Sequence, residues 1–348
     1  MSARISHPSA TPETTPAMPL LSVTNLTKHF PLKGGIFGGS KGVVRAVDGI
    51  SFDVAAGETL GIVGESGCGK STTARLLVDI ITPDTGDIRL GGKRLGTDMT
   101  VRDLRREVQM VFQDSYASLN PRLTMEDAIA FGPMINGMSE AQATAHAHAL
   151  LHKVGLEPKR YAGRYPHELS GGQRQRVNIA RALAFSPKVV ILDEAVSALD
   201  KSVEAQVLNL LCDLKAELGL TYIFISHDLN VVRYMSDRVM VMYLGEVAEI
   251  GPVEALYSNP SHPYSRALLA AMPSMDPDKR TYEAPLQGDP PNPINPPSGC
   301  RFHTRCSLAE DVCAKQSPSL FLQKQMGHLS ACHISIPGSG HKLSGAAA

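Results

Sequence analysis

The hydrophobic positions of the chain fall into short blocks that predict strands and helices. Residues 21–26, Leu-Ser-Val-Thr-Asn-Leu, alternate apolar and polar side chains, as a strand does when one face is buried. Residues 59–63, 189–192 and 221–225 are apolar at nearly every position, which is typical of strands buried on both faces of a parallel sheet. Helical patterns follow the first and third blocks, over 71–81 and 229–235. Such alternation predicts an α/β core.

The remaining pattern divides the chain into three regions. Residues 1–18, rich in Ser, Thr, Pro and Ala, predict a disordered lead, and residues 19–272 predict the main domain. Within it, 32–42 predicts a loop, 43–54 a strand pair at a sheet edge, and about 114–184 an inserted helical subdomain. Residues 273–348 predict an extension, with six prolines over 285–297, four cysteines and a loose tail.

Charge and hydropathy exclude some functional classes. The 348 residues carry 34 Lys and Arg against 34 Asp and Glu, so no overall positive field attracts nucleic acid, and we expect no nucleic-acid partner. No run of 18 apolar residues and no apolar signal region occurs, which predicts a cytoplasmic chain that does not itself span the bilayer. Cysteines in that compartment are expected as thiols or metal ligands.

A glycine-rich turn joins the first buried block to its helix. Residues 64–71, Gly-Glu-Ser-Gly-Cys-Gly-Lys-Ser, match the phosphate-binding pattern G-x-x-x-x-G-K-[ST]. Glycines let backbone N–H groups face phosphate oxygens, and the following helix adds its positive dipole end. Lys70 is expected at the β- and γ-phosphates and Ser71 at Mg²⁺. The predicted ATP-binding residues here are Gly64, Ser66, Gly67, Cys68, Gly69, Lys70, Ser71 and Thr72; a glycine-rich turn without a ligand is the alternative.

Two acidic residues, Asp193 and Glu194, end the second buried block. Ligands of open α/β sheets bind at the carboxyl ends of the strands. Asp193 is therefore predicted to hold Mg²⁺, directly or through water, and Glu194 to polarise the water that attacks the γ-phosphate. The alternative is a strand that runs into a polar loop.

A third motif, Leu-Ser-Gly-Gly-Gln at 169–173, precedes a helical pattern. Ser170 is a good N-cap, and the glycines expose the helix N-terminus to an anion. In their order and spacing, the three motifs together resemble the ATP-binding cassette (ABC) family over about residues 20–272. The resemblance implies a P-loop NTPase domain of the α/β class. Its mixed sheet would have an antiparallel β edge and an inserted helical subdomain, and a small cysteine-bearing C-terminal extension would follow.

The resemblance also assigns roles to single residues. Gln113 looks like the glutamine that senses Mg²⁺ and the attacking water, and His227 like the switch histidine at the γ-phosphate. With Glu194 they are the predicted catalytic residues, and Ser71 and Gln113 are the predicted Mg²⁺ ligands. Phe30 resembles the aromatic residue that stacks on adenine. Ala195 stands where the family usually has proline. This replacement affects no group that binds a ligand.

In the ABC family two cassettes pair head to tail, and each ATP lies between the phosphate loop of one and the signature of the other. This chain has one copy of each motif, so the resemblance implies a dimer that ATP binding closes and hydrolysis reopens. The residues expected at the partner's ATP are Ser170, Gly171, Gly172, Gln173 and Asp200.

Two further segments, 113–122 and 261–269, resemble the di- and oligopeptide importers of this family, and the chain looks closer to the second of their two paired ATPases. The resemblance implies an ATP-hydrolysing subunit at the cytoplasmic face of the inner membrane. Its partners would be a distinct ATPase, two integral membrane permeases and an extracytoplasmic peptide-binding protein. Nickel, sugar and antimicrobial-peptide systems share these motifs, so the cargo stays open.

Proteins of other classes fit these motifs less well. A P-loop kinase needs neither the signature nor His227. A repair ATPase needs a long coiled-coil insertion, for which residues 71–189 leave no room. A translation-type cassette protein carries two cassettes in one chain. A non-transport P-loop ATPase is therefore the less favoured alternative.

Four of the six cysteines lie in the extension: Cys300, Cys306, Cys313 and Cys332. Their spacing lacks the C-x-x-C pairs of a zinc ribbon. Four thiolates from irregular loops suit a [4Fe–4S] cluster, as does the importer resemblance, while zinc and four independent thiols are the alternatives. Cys68 is a candidate for oxidation, and Cys212 is expected in the core.

Overall fold

The computed structural model describes residues 18–32, 42–272, 288–289, 291–323 and 327–345. The predicted disordered lead, apart from Met18, and most of the predicted 32–42 loop lie outside the described residues. The strands are β1 (Leu21–Pro31), β2 (Val43–Val54), β3 (Thr59–Val63), β4 (Thr85–Leu90), β5 (Lys93–Arg94), β6 (Val108–Val111), β7 (Val189–Asp193), β8 (Thr221–Ile225), β9 (Arg238–Tyr243), β10 (Glu246–Pro252), β11 (Phe321–Leu322) and β12 (Leu329–Ser330).

The helices begin with α1 directly behind the glycine-rich turn. They are α1 (Lys70–Leu77), α2 (Val101–Glu107), α3 (Met125–Ile135), α4 (Glu140–Lys153), α5 (Pro158–Tyr161), α6 (Gly171–Leu183), α7 (Lys201–Leu218), α8 (Leu229–Met235), α9 (Val253–Ser258), α10 (Pro263–Ala270) and α11 (Asp311–Lys315). Helices α3 to α6 form the predicted helical subdomain. No helix in the described ranges combines the length and apolar character that crossing a bilayer requires.

Two sheets carry the fold. An antiparallel sheet has the order β2-β1-β4-β5, and a larger mixed sheet has the order β11-β12-β10-β9-β3-β8-β7-β6. Strands β6, β7, β8, β3 and β9 run parallel, whereas β10 returns antiparallel to β9. The structure therefore confirms the α/β class, the mixed sheet and the antiparallel edge.

The continuous apolar blocks are explained by burial on both faces of the parallel strands. All five residues of β3, β7 and β8 are buried. Successive residues of β7 alternate between two cores: Val190 and Leu192 pack with the helical subdomain, and Val189 and Ile191 pack toward α1 and the antiparallel sheet. The two-residue period of a strand thus joins both cores through one sheet.

Several elements differ from the sequence-based prediction. Residues 43–54 form one strand rather than a pair, because β2 pairs with β1 along most of its length. The helix predicted over 71–81 ends at Leu77, where Asp79 adopts a φ of 52° and Ile80 N donates to Arg75 O. Strands β4, β6, β9 and β10 were not predicted.

The C-terminal extension is joined to the core sheet. Strand β12 pairs with β10, with Glu249 opposite Ser330. The side chain of Glu249 is fully buried and accepts hydrogen bonds from Ser261 N at 2.6 Å, His262 N at 3.0 Å and His328 Nε2 at 2.6 Å. One carboxylate therefore connects β10, the start of α10 and the strand of the extension.

We expect Glu249→Ala to lower the free energy of unfolding by about 3 kcal/mol, because three buried donors lose their shared acceptor. Denaturant unfolding of the full chain measures this change. The matched control is Glu254→Ala, which removes an exposed pair with Arg233 and should change stability little. Equal losses in the two variants would contradict the assigned role.

Candidate functional site

A cavity of about 440 Å³ opens at the carboxyl end of β3. Its walls come from the glycine-rich turn, the start of α1, the acidic residue that follows β7 and the segment that follows β8 in the chain. Strand β2 closes one side, a contribution that the sequence pattern did not indicate. The lining residues are Val44, Ala46, Ser66, Gly67, Gly69, Lys70, Ser71, Thr72, Gln113, Glu194 and His227.

The glycine-rich turn needs glycine at two points for different neighbours. Gly64 has a φ of 148°, and a Cβ there would lie 2.2 Å from Met242 O. Gly69 has a φ of 110°, and its Cβ would lie 2.3 Å from Ala46 O. Both conformations and both close approaches disfavour any larger residue. The turn is thus pressed against β9 and β2, which fixes its shape.

Lys70, at the start of α1, is buried and bonds to its own loop. Its Nζ donates to Gly64 O at 2.7 Å and to Glu65 O at 3.0 Å. A buried ammonium needs such partners, because an unpaired charge in this setting is costly. The loop therefore holds a positive charge beside the cavity, in a position to exchange carbonyl oxygens for phosphate oxygens.

Ser71, which lines the cavity, contacts Asp193, which lies just behind the lining at the end of β7. Ser71 Oγ donates to Asp193 Oδ1 at 2.9 Å. Burial raises the pKa of Asp193 above its ordinary value, and the hydrogen bond from Ser71 offsets part of this effect. A hydroxyl and a partly desolvated carboxylate are ligands that Mg²⁺ accepts. These two residues therefore fit the predicted cation site.

Glu194 is the point where the predicted catalytic residues converge. Its Oε2 accepts from Gln113 Nε2 at 2.9 Å and lies 3.4 Å from His227 Nδ1. The backbone of Glu194 has a φ of 48°, and its N–H donates to Ile225 O at 2.9 Å. This left-handed conformation costs energy in a non-glycine residue, and strain of this kind is common at functional sites. The predicted catalytic triplet is thus assembled around one oxygen atom.

Other predicted residues lie away from this cavity. Phe30 is on β1 opposite Val44 and is not among the lining residues, so its contact with adenine stays a prediction. Ser170 caps α6, where its Oγ accepts from Gln173 N at 3.3 Å. Within the described residues, neither the 170–173 turn nor Asp200 lines the cavity.

The four cysteines of the extension line a second, small cavity together with His303, His333 and His341. Burial raises the pKa of Cys300 to about 12 and that of Cys332 to about 11, and the neighbouring cysteines add to both shifts. In the part of the chain that is described, no group of three or more His, Cys, Asp or Glu side chains is arranged to hold a metal ion. The structure thus gathers the thiols but does not show a metal centre.

Comparisons with known proteins agree with this geometry. Residues 47–197 match the ABC transporter family, and residues 248–313 match the family described as oligopeptide/dipeptide transporter, C-terminal region. A probable peptide ABC transporter ATP-binding protein of Sinorhizobium fredii is 51% identical over 93% of this chain and 92% of its own length. The chain belongs to the ABC transporter ATP-binding proteins. The identity spans both the cassette and the extension.

Further relatives and structures support this assignment. The ABC protein is 47% identical to the di/tripeptide transport ATP-binding protein DppF of Pseudomonas aeruginosa and to the oligopeptide transport ATP-binding protein AppF of Bacillus subtilis, each over 90% of this chain and 97% of the relative. Among solved structures, cbiO1 of Clostridium perfringens, part of the transporter complex cbiONQ, matches with a TM-score of 0.59 at 29% identity, over 69% of this chain and 91% of that one.

A second solved structure links the fold to ATP hydrolysis. The dimeric post-hydrolysis state of the cassette MJ0796, bound to ADP and phosphate, matches with a TM-score of 0.58 at 28% identity, over 67% of this chain and 98% of that one. The ABC protein is accordingly an ATPase, for which ATP and Mg²⁺ are the expected ligands. It acts with membrane permeases, as ATP-binding subunits of this family do.

Asp193→Asn should stabilise the nucleotide-free ABC protein at pH 7. Because the pKa of Asp193 is raised in the folded state, ionisation of the carboxylate opposes folding, and asparagine cannot ionise. The gain should shrink as the pH falls toward the ordinary aspartate value of 3.8. Denaturant unfolding at several pH values, without Mg²⁺, measures it. The exposed Asp213→Asn is the control, and a gain that does not vary with pH would contradict the explanation.

Proposed function

We propose that this chain is the ATP-hydrolysing subunit of an importer for di- or oligopeptides. The convergence of Gln113 and His227 on one oxygen of Glu194, beside the phosphate loop, carries the ATPase part of the proposal. The peptide cargo is supported by the match of residues 248–313 and by the names of the relatives. Nickel, sugar or antimicrobial peptides are the alternative cargoes.

The cavity suggests how this chain acts on ATP. Lys70 gives up its bonds to the loop carbonyls and donates to the β- and γ-phosphates, while loop N–H groups hold the remaining oxygens. Ser71, Asp193 and Gln113 would hold Mg²⁺, which would supply positive charge against the phosphate oxygens. Glu194 orients a water and accepts its proton as the water oxygen attacks the γ-phosphorus. The bond to the bridging oxygen then breaks, which leaves ADP and inorganic phosphate.

His227 and Gln113 position Glu194 for this step. Both side chains point their nitrogens at the same carboxylate oxygen, so they restrict its rotation. His227 is 63% exposed, which leaves it accessible to the γ-phosphate. We therefore assign it to sensing whether that phosphate is present.

We further propose that a second cassette completes the site. The 170–173 turn and Asp200 lie outside this chain's own cavity in the described structure, although the turn is built to bind an anion. A head-to-tail partner would bring its own turn to this ATP. The dimeric form of the ADP- and phosphate-bound cassette MJ0796 supports such pairing. A similar but distinct ATPase is the proposed partner, and a second copy of this chain is the alternative.

An apolar groove offers a place for a permease. This cavity of about 370 Å³ lies between α3 and α6 on one side and β6 on the other, and it includes Phe112, which precedes Gln113. Phe131, which lines the groove, is 57% exposed. A permease segment seated there would contact both the helical subdomain and the strand that leads to the catalytic glutamine. We accordingly place the chain at the cytoplasmic face of the inner membrane, below two permeases served by an extracytoplasmic peptide-binding protein.

ATP hydrolysis by the assembled complex tests the function. Membrane vesicles that contain the chain and its co-purifying partners should hydrolyse ATP faster when the peptide-loaded binding protein is present. Glu194→Gln should keep ATP binding and lower turnover by about 10²-fold or more, since the proton acceptor is lost. Stimulation by nickel or sugar instead of peptide would overturn the cargo, and full turnover in Glu194→Gln would overturn the mechanism.

The iron–sulfur cluster predicted from the sequence also belongs to this proposal. It is supported by the four thiols that line one cavity, because four cysteine thiolates are the ligand set of such a cluster. The arrangement of the described residues does not by itself support a metal ion there. The cluster would serve as a covalent staple for a short segment with little core of its own.

Iron and sulfide analysis of the anaerobically purified full chain decides whether the four cysteines hold an iron–sulfur cluster. About four iron atoms per chain, lost in Cys306→Ser and retained in Cys212→Ser, are expected for the cluster. Zinc in place of iron, or four titratable thiols without metal, would overturn it.

A further inference from the structure

The C-terminal extension reaches the phosphate loop through a paired hydrogen bond. Arg305 Nη1 donates to Glu65 Oε2 at 2.7 Å, and Arg305 Nη2 donates to Glu65 Oε1 at 3.1 Å. Only 6% of the arginine side chain and 21% of the glutamate side chain are exposed. A guanidinium fork on a carboxylate is among the strongest pairings available to side chains, particularly when it is shielded from water.

Arg305 is itself held in place by the fold. It ends a short helical turn, His303–Arg305, directly before Cys306. Its guanidinium also donates to Tyr243 Oη at 3.3 Å and to Gly288 O at 3.0 Å. The fork that meets Glu65 is therefore preorganised by both the core sheet and the extension.

Glu65 is fixed at three of its groups. Its side chain pairs with Arg305, its N–H donates to Tyr264 Oη at 2.9 Å, and its carbonyl accepts from Lys70 Nζ at 3.0 Å. Tyr264 is buried and packs against Phe302 of the extension with ring centroids 5.3 Å apart. The same loop residue thus connects the extension with the lysine of the ATP site.

A second arginine holds the neighbouring turn. Arg301, next to Cys300, pairs with Glu246 at 2.9 Å and with Asp48, and it donates to Leu244 O. The following residue, Gly245, donates its N–H to Cys68 O in the phosphate loop at 2.9 Å. Two arginines, each beside a cysteine of the extension, therefore support the loop at separate points.

The charge of Glu65 gives this contact a consequence for ATP. Glu65 is the only acidic residue within 64–71, the segment that receives a polyanionic phosphate chain. A carboxylate without a counterion in this loop would repel the phosphates, and at the reduced dielectric of a protein surface such repulsion is substantial. Arg305 neutralises that charge and holds it in a defined position.

We propose that Arg305 is a positioning residue for ATP binding, through which the C-terminal extension sets the affinity of the phosphate loop. The inference rests on the proposed ATPase function and needs no metal at the cysteines. It gives the extension a role in the catalytic cycle: any change that shifts Arg305, which adjoins Cys306, alters how tightly the loop binds nucleotide.

Nucleotide titration of the full chain tests the proposal. Arg305→Met should weaken binding of ATP with Mg²⁺ by roughly five- to tenfold, at the lower end of the usual coupling between sites. KM should rise by a similar factor in the assembled ATPase with little change in kcat. Arg305→Lys should recover part of the loss, because lysine restores charge without the fork. Lys315→Met, which removes an exposed pair with Asp311 in the same extension, is the control and should bind ATP normally.

A double substitution separates positioning from a general structural role. In a Glu65→Gln background, Arg305→Met should have little further effect on ATP affinity, because no carboxylate remains to be neutralised. Unchanged affinity in Arg305→Met, or the same loss in both backgrounds, would overturn the inference while the ATPase function stands. Failure of the wild-type chain to bind ATP would instead overturn the proposed function. Thermal unfolding of each variant identifies any that fail to fold.

Discussion

The site depends on the parallel pairing of β3, β8 and β7. Ile62 lies opposite Ile225, and Ile225 lies opposite Asp193, so three strands end at nearly the same level of one sheet edge. The bond from Glu194 N to Ile225 O continues this ladder by one residue before the chain turns. The phosphate loop, the carboxylate of the proposed cation site and the proposed base are therefore placed by backbone hydrogen bonds rather than by their own side chains.

This dependence explains what the sequence could predict. The phosphate loop, Asp193 and Glu194 belong to segments whose local pattern is strong, and parallel strands bring their carboxyl ends together whatever the intervening chain does. The sequence pattern did not indicate β6, because this strand has only four residues and no glycine-rich turn or acidic pair directly follows it. Val44 and Ala46 could not be placed at the cavity, because they reach it through the packing of the antiparallel sheet on Gly69, which no local pattern encodes.

The C-terminal extension shows the same limit of sequence-based prediction for residues that lie farther apart in the chain. Its cysteines and prolines stand out in the sequence, and the prediction of a cysteine-bearing C-terminal extension follows from them, without any sign of how the extension contacts the core. The structure pairs β12 with β10 and buries Glu249 between them, contacts that join positions about 80 residues apart, as the 79-residue separation of His328 and Glu249 illustrates. The bond from Arg305 to Glu65 spans 240 residues. Pairings of this kind depend on the completed sheet, so periodicity and spacing do not indicate them.

Lys70 links these long-range contacts to nucleotide binding. Its ammonium donates to the carbonyls of Gly64 and Glu65, and a charged phosphate oxygen is a stronger acceptor than either. In the proposed mechanism Lys70 exchanges these bonds for phosphate oxygens, which would release two carbonyls of the loop to find other donors or move toward water. Glu65 is restrained at its N–H and its carboxylate, so its carbonyl has less freedom to move than that of Gly64. Under the proposed mechanism, the extension therefore guides part of the rearrangement that ATP binding requires, and the far end of the chain contributes to the energetics of the nucleotide site.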